Sequence, residues 1–253
     1  MLKKCPLMID VHAHLASKAY ADIDVIIARA RSCGVRKIVM SITDPREYHA
    51  AKAIVERHPQ SVFLTVGFDP CCFDQGLFDD FISLASSATI VGIGEVGLDH
   101  FYIRDDEQRS LQERRFRLAI SIANERRLPV VVHSRSAGKN ALALLHSEGA
   151  DQVLMHAFDG KAGDALAAAK GGYYFSIPTS VVHSEQKKKM ARLLPLESLM
   201  LETDSPVLAP VRGEINEPAN LIRSAEAISA IKRIPLEDVI AVTTANASSL
   251  FNI

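Results

Sequence analysis

The chain has 253 residues, 48% of them apolar and 23% charged, with a formal net charge of −1. A disordered chain would be poorer in apolar residues and further from neutrality, so that class is excluded, and a chain this long can bury a sizeable core in one large α/β domain or two small ones. Near-neutrality leaves no global basic field, so a nucleic-acid ligand would need a local site.

In chain order, Met1-Leu2-Lys3-Lys4 resembles the basic head of a signal segment, but Asp10, His12 and His14 break the apolar run behind it. Short β-branched runs then alternate with longer amphipathic segments. The predicted strands are Leu7–Val11, Lys37–Ser41, Val62–Gly67, Thr89–Gly94, Pro129–Val132, Gln152–Met155, Gly172–Ile177 and Ser198–Leu201. Each is nearly continuously apolar, as strands buried on both faces of a parallel sheet should be. Asp22 or Asp24, Asp44-Pro45 and Ser136 read as helix starts, and Gly34 and Gly149 follow helix ends. Within Glu107–Arg127, Leu111, Leu118, Ala119, Ile122 and Ala123 share one face and the arginines occupy the others. Further helices are expected at Pro218–Ile231 and Leu236–Leu250.

Eight strands, each followed by a helical pattern, predict a (β/α)8 TIM barrel built by a single domain over residues 1–253. A doubly wound open sheet is the alternative, but no Gly-rich phosphate loop follows the first strand. No stretch approaches the roughly 18 apolar residues of a membrane span. Cys5, Cys33, Cys71 and Cys72 form neither a Cys-x-x-Cys pair nor a secreted framework, so reduced thiols and a soluble, cytoplasmic protein are expected. Lys187-Lys188-Lys189 and the arginines of Glu107–Arg127 read as solvated helix faces rather than a nucleic-acid patch.

Function is carried by the polar residues that interrupt these runs. His12 and His14 close the first strand, Glu95 the fourth, His133 the fifth, His156 the sixth and Asp204 the eighth. In a parallel barrel these ends share one rim, where active sites form. Residues two apart on a strand face the same side, roughly 6.6 Å apart along the chain, so His12 and His14 can chelate one ion. Glu95, on a buried strand, needs a cation or strong donors, with a salt bridge to a barrel arginine as the plain alternative. His133 and His156 singly would be hydrogen-bonded core residues; closing consecutive strands, they fit a second ion. Asp204 can touch a metal and accept a proton from water. Glu202, two residues earlier, would be an internal hydrogen-bond partner or a further ligand, while Asp99 would only cap its loop. Arg135 suits an anionic group of the substrate, with a surface ion pair as its other reading.

Ile9-Asp10-Val11-His12-Ala13-His14-Leu15, Gly92-Ile93-Gly94-Glu95-Val96-Gly97-Leu98-Asp99, Val132-His133-Ser134-Arg135, His156-Ala157-Phe158-Asp159-Gly160 and Leu201-Glu202-Thr203-Asp204-Ser205-Pro206 occur in this order, followed by Asn216-Glu217-Pro218. This ordered set resembles the TatD family of metal-dependent deoxyribonucleases. Arg135-Ser136-Ala137-Gly138 and Phe175-Ser176-Ile177-Pro178 are similar to the subgroup of human TatD domain-containing protein three. The resemblance implies an amidohydrolase-type barrel, two or three divalent ions (Zn, Mn or Mg) and hydrolysis of a DNA substrate, as exonuclease or abasic-site endonuclease. His12, His14, Glu95 and Asp204 would bind one ion, and Glu95, His133 and His156 the other, with Glu95 bridging and Glu95 and Asp204 catalytic. Glu202 and Asp69 are the candidates for a third ion.

Two positions depart from the family pattern. Gly67-Phe68-Asp69-Pro70 stands where the family has Gly-x-His-Pro, and Ile215 where it often has arginine before Asn-Glu-Pro. Both changes lower positive character near the mouth. An amide, lactone or phosphate-ester hydrolase on the same metals is the nearest rival reading, and a barrel with purely structural ions that binds a partner is the non-enzymatic one. No membrane association and no obligate protein partner are expected.

Overall fold

The computed structural model describes residues 7–253, so the basic start and Cys5 lie outside the described residues. Eight strands form one parallel sheet in sequence order: β1 (Met8–Ala13), β2 (Val35–Ile42), β3 (Val62–Val66), β4 (Gly92–Gly97), β5 (Val130–His133), β6 (Val153–Met155), β7 (Tyr174–Ile177) and β8 (Leu199–Leu201). Helices α1 (Ile23–Ser32), α2 (Tyr48–Arg57), α3 (Gln75–Ser87), α4 (Asp106–Arg126), α5 (Gly138–Ser147), α6 (Ala162–Lys170) and α7 (Glu185–Leu193) lie between successive strands, and α8 (Ile222–Lys232) and α9 (Leu236–Phe251) follow β8. This is the expected (β/α)8 barrel. The ring closes where Ala13 bridges Ser205, with His14 N donating to Ser205 O at 2.7 Å and Asp204 N to His12 O at 3.0 Å. That seam brings the histidines of β1 to the aspartate beyond β8.

Ile9, Val11, Val39, Val131, Leu154 and Met200 form an inner core, and α9 adds Ala247, Leu250 and Phe251 to it. A larger core lies between strands and helices. Burying a side chain such as Phe251 contributes roughly 1.5–3 kcal/mol, so α9 stabilises the barrel as a plug as well as a cover. Among the described residues no helix is long and apolar enough to cross a membrane.

Several local expectations shift. Asp22, rather than Asp24, caps α1, accepting from Asp24 N and Val25 N. Asp44 caps a short 3-10 turn at Pro45–Glu47. Ser136 is not a cap: α5 starts after Ala137, and the Ser136 amide donates to Asp159. The segment at Pro218 is split, because a 3-10 turn over Pro218–Leu221 precedes α8. Strand β4 runs Gly92–Gly97, not Thr89–Gly94, which places Glu95 inside the strand rather than at its end. Its glycines permit close strand contact: a Cβ on Gly97 would sit 2.1 Å from His133 O, and φ there is +143°.

On α4 the buried face is Gln112, Arg115, Phe116, Ala119, Ile120, Ile122 and Ala123, rotated from the predicted stripe, and Leu118 is exposed. Arg115 is therefore no solvated arginine. Its guanidinium lies 5.2 Å from the Phe68 ring and 4.5 Å from that of Phe78, and Nη1 donates to Cys72 O at 2.7 Å. Aromatic faces and carbonyls compensate the burial of this cation.

Candidate metal centre

The β1–β2 register slips between Asp10 and Ala13, and such irregularities re-aim side chains. After the core residues Ile9 and Val11, His12 turns to the rim. Asp10 anchors this segment across the seam, accepting from Thr203 N at 2.9 Å and from Thr203 Oγ1 at 2.6 Å. Asp204 is held on the other side by Asn216, whose Nδ2 donates to Thr203 O at 2.8 Å and Val207 O at 2.9 Å. The Asn-Glu-Pro tail thus fixes the loop that carries Asp204, which adopts φ +53°, a region aspartate tolerates better than most residues.

His12, His14, Glu95, His156 and Asp204 converge. His12 Nε2 lies 3.2 Å from His14 Nε2, 3.2 Å from Glu95 Oε2 and 3.6 Å from Asp204 Oδ1. His14 Nε2 lies 3.5 Å from each of the same two oxygens. On the other side, Glu95 Oε1 is 2.7 Å from His133 Nδ1 and 3.7 Å from His156 Nε2, and Asp204 Oδ2 is 3.8 Å from His156 Nε2. Each carboxylate therefore offers one oxygen to each half of the cluster. Two groups, His12–Glu95–His156 and His12–His14–Asp204, have donor atoms within 4.8 Å of one another, and His133 joins through Glu95.

The donor set fits divalent metal. Every histidine points one nitrogen into the cluster and spends the other on a fixed partner, the arrangement that orients ligating imidazoles. His12 Nδ1 meets Ser41 Oγ at 3.1 Å, His14 Nδ1 donates to Ser41 O at 3.1 Å, His133 Nε2 meets Asp99 Oδ2 at 3.0 Å and His156 Nδ1 meets Glu202 Oε2 at 2.7 Å. The Nε2 atoms of His12 and His14, 3.2 Å apart, need a proton or a cation between them. Donor atoms about 2.0–2.2 Å from one tetrahedral ion would lie roughly 3.3–3.6 Å apart, the spacing seen around His12 and His14.

The buried charges shift one another. Burial would raise the Glu95 carboxyl, but the His156 charge and hydrogen bonds from His12 and His133 hold it well below the usual range. Burial would lower His133, yet Asp99 and Glu95 lift it to about 10. His156, opposed likewise by burial, is raised to about 9 by Glu202, Asp204 and Glu95. His12 is lowered, first by burial and then by the neighbouring His156. Burial pushes Asp10 up to about 8 against its hydrogen bonds from Thr203.

Glu202 is fully buried, and both oxygens are engaged: Oε2 accepts from Ser176 Oγ at 2.7 Å and meets His156, while Oε1 accepts from Ala157 N at 2.9 Å. Asp99 does more than cap its loop, since it also holds His133. Asp69 is exposed and accepts from Cys71 N at 2.8 Å, outside the two donor groups. Ile215 is exposed beside Asn216, away from the donor cluster. Arg135 lines the cavity over the cluster and makes no ion pair among the described residues; its guanidinium stacks on Phe101 and Tyr102.

That cavity, of about 460 Å³, is also lined by Lys187. Lys187 is thus not a solvated helix-face residue. Its Nζ donates to Ala157 O at 2.6 Å and Phe158 O at 2.8 Å, leaving one of three protons free, and burial lowers its pKa. Nothing in a lysine triplet marks which member turns inward. Ser41, by contrast, is signalled by a hydroxyl interrupting an apolar strand.

The whole assembly has recognisable relatives. Residues 9–252 match the profile of the TatD related DNase family. Deoxyribonuclease TATDN3 of Homo sapiens is 37% identical over 261 residues, covering 96% of this chain and 94% of the relative. The uncharacterized metal-dependent hydrolase YabD of Bacillus subtilis is 31% identical, covering 98% of this chain and all of the relative. Among solved structures, the TatD homologue YJJV of Escherichia coli superposes with a TM-score of 0.89 at 24% identity, over 97% of this chain and 98% of that one. A TatD family hydrolase of Entamoeba histolytica gives 0.85 at 21%, over 98% of each chain. The last two share the barrel. With a profile match along nearly its full length and relatives this similar in sequence, the chain belongs to the TatD related DNase family.

Proposed function

We propose that this protein, as one hydrolase domain, cleaves phosphodiester bonds of DNA by divalent-metal-assisted attack of water. The observation that carries the reading is the convergence of four imidazoles and two carboxylates, from β1, β4, β5, β6 and the turn after β8, on one rim. His12, His14, Glu95 and Asp204 would hold one ion, and Glu95, His133 and His156 a second, with Glu95 shared. When bound, such a pair lowers the pKa of a water and polarises phosphoryl oxygens. The nitrogen-rich set favours zinc or manganese over magnesium.

The chain's own residues supply the rest. Asp204, kept ionised by neighbouring histidines against the effect of burial, accepts the proton of the attacking water. Lys187 and Arg135 bring positive charge to the cavity that the substrate phosphate enters. Asp99 and Glu202 hold the rings of His133 and His156 in position. Glu202 acts through His156 rather than on a third ion, since its oxygens are engaged.

The test is a panel of single-stranded, duplex and abasic-site oligonucleotides, run beside amide and lactone substrates on the metal-loaded protein. Phosphodiester cleavage with little turnover of amides and lactones is expected. Lactone or amide hydrolysis with all oligonucleotides intact would replace this reading with the rival one.

A further inference from the structure

We infer that Phe101 and Tyr102 form a stacking platform at the rim of the cavity, gripping the nucleobase next to the phosphodiester being cleaved. This rests on the DNA reading above and adds the residues that would recognise a base rather than a phosphate. Both lie in the loop after β4 and stay open to solvent, Phe101 47% and Tyr102 63% exposed. They contribute little to the core, and their rings are free to stack against a ligand. Their ring centroids are 5.0 Å apart at 84°, so the pair presents a face beside an edge.

The platform is joined to the cavity by Arg135. Its guanidinium lies 4.2 Å from the Phe101 centroid and 4.8 Å from that of Tyr102, while the same residue lines the cavity wall. A phosphate in the cavity and a base over the aromatic pair would therefore flank one cation. Stacking on aromatic rings beside arginine suits any base, because each has a π face.

The loop is also preorganised. Asp99 Oδ1 accepts from Phe101 N at 2.9 Å and Tyr102 N at 2.8 Å, while Oδ2 meets His133 Nε2 at 3.0 Å. His100 N donates to Arg135 O at 2.9 Å, tying the two loops together. One carboxylate thus sets both the aromatic pair and a ring of the donor cluster, so a stacked base is registered against the centre. A docked protein would not need that coupling. A nucleotide does, because its base and phosphate are held at a fixed span.

The experiment compares two single strands that differ only at the nucleoside flanking the cleaved bond: one carries a base, the other a tetrahydrofuran abasic analogue. Tyr102→Leu and Phe101→Leu, which keep apolar bulk and leave Arg135 one aromatic neighbour, are assayed with the parent. On the base-bearing strand each variant should lose roughly 5- to 100-fold in kcat/KM, chiefly through KM, the range expected for one lost stack. On the abasic strand the change should stay within about twofold. Equal losses on both strands, or none on either, would overturn the platform while leaving DNA hydrolysis intact. A folded, metal-loaded parent that cleaves neither strand, alone or in duplex, would overturn the underlying DNA reading. Unchanged kinetics with loss of a concentration-dependent dimer in the variants would reassign the aromatic pair to self-association.

Discussion

Glu202 meets Nδ1 of His156 at 2.7 Å, and both groups are buried, Glu202 completely. The carboxylate cannot swing away, because Ser176 and the Ala157 amide occupy its oxygens. The His156 ring is thereby fixed with Nε2 toward Glu95 and Asp204. Glu202→Gln keeps the shape but turns an NH2 group toward donors on one side. Removing such a partner typically weakens metal binding by about 10- to 100-fold. Competition with a chelator measures this, and unchanged affinity in a folded Glu202→Gln protein would show that the contact does not support the site.

Asp204→Asn separates proton transfer from folding. The amide retains the size of the carboxylate but cannot accept the water's proton. Turnover in the metal-loaded variant should fall at least about 100-fold, the lower range for a general base, while Tm moves little. Near-normal kcat would remove Asp204 from that role.

In the metal-free protein, stability should decline with rising pH. Burial opposes protonation of His133 and His156, but their carboxylate partners raise them to about 10 and about 9. Groups whose folded pKa exceeds the unfolded value, here about 6.5, stabilise fully below that value. Their contribution is lost as pH climbs through 9 and 10. Asp10, raised to about 8 by burial, adds in the same direction, since its ionisation is disfavoured only in the fold. Tm of chelated protein should therefore fall from pH 6.5 toward pH 10. Metal should reverse the trend near neutrality, because ligation requires deprotonated histidine. A flat or rising Tm in chelated protein would contradict this charge arrangement.

Much of the barrel is legible in the sequence because parallel strands buried on both faces are written as short continuous apolar runs. The six donor residues stand out because each is a polar interruption at or beside such a run. Strand β4 lies three residues beyond its prediction, because the apolar run that marks it ends before Glu95 while Gly94 and Gly97 let the strand continue in close approach to β5. Lys187, Asp99 and the Phe101–Tyr102 pair are less legible, since their placement depends on helix tilt and loop path rather than on period. Arg115 shows the same limit. A face rotated on α4 puts a guanidinium against Phe68 and Phe78 instead of water.

Metal-assisted hydrolysis is tested most directly by following cleavage of a single-stranded oligonucleotide by chelator-stripped protein as Zn²⁺ or Mn²⁺ is titrated back. Activity should be absent from the stripped protein and return with added ion, saturating near about two equivalents per chain if the donor cluster holds a pair. Full cleavage by folded protein verified to carry no divalent ion would contradict the role assigned to His12, His14, Glu95, His133, His156 and Asp204.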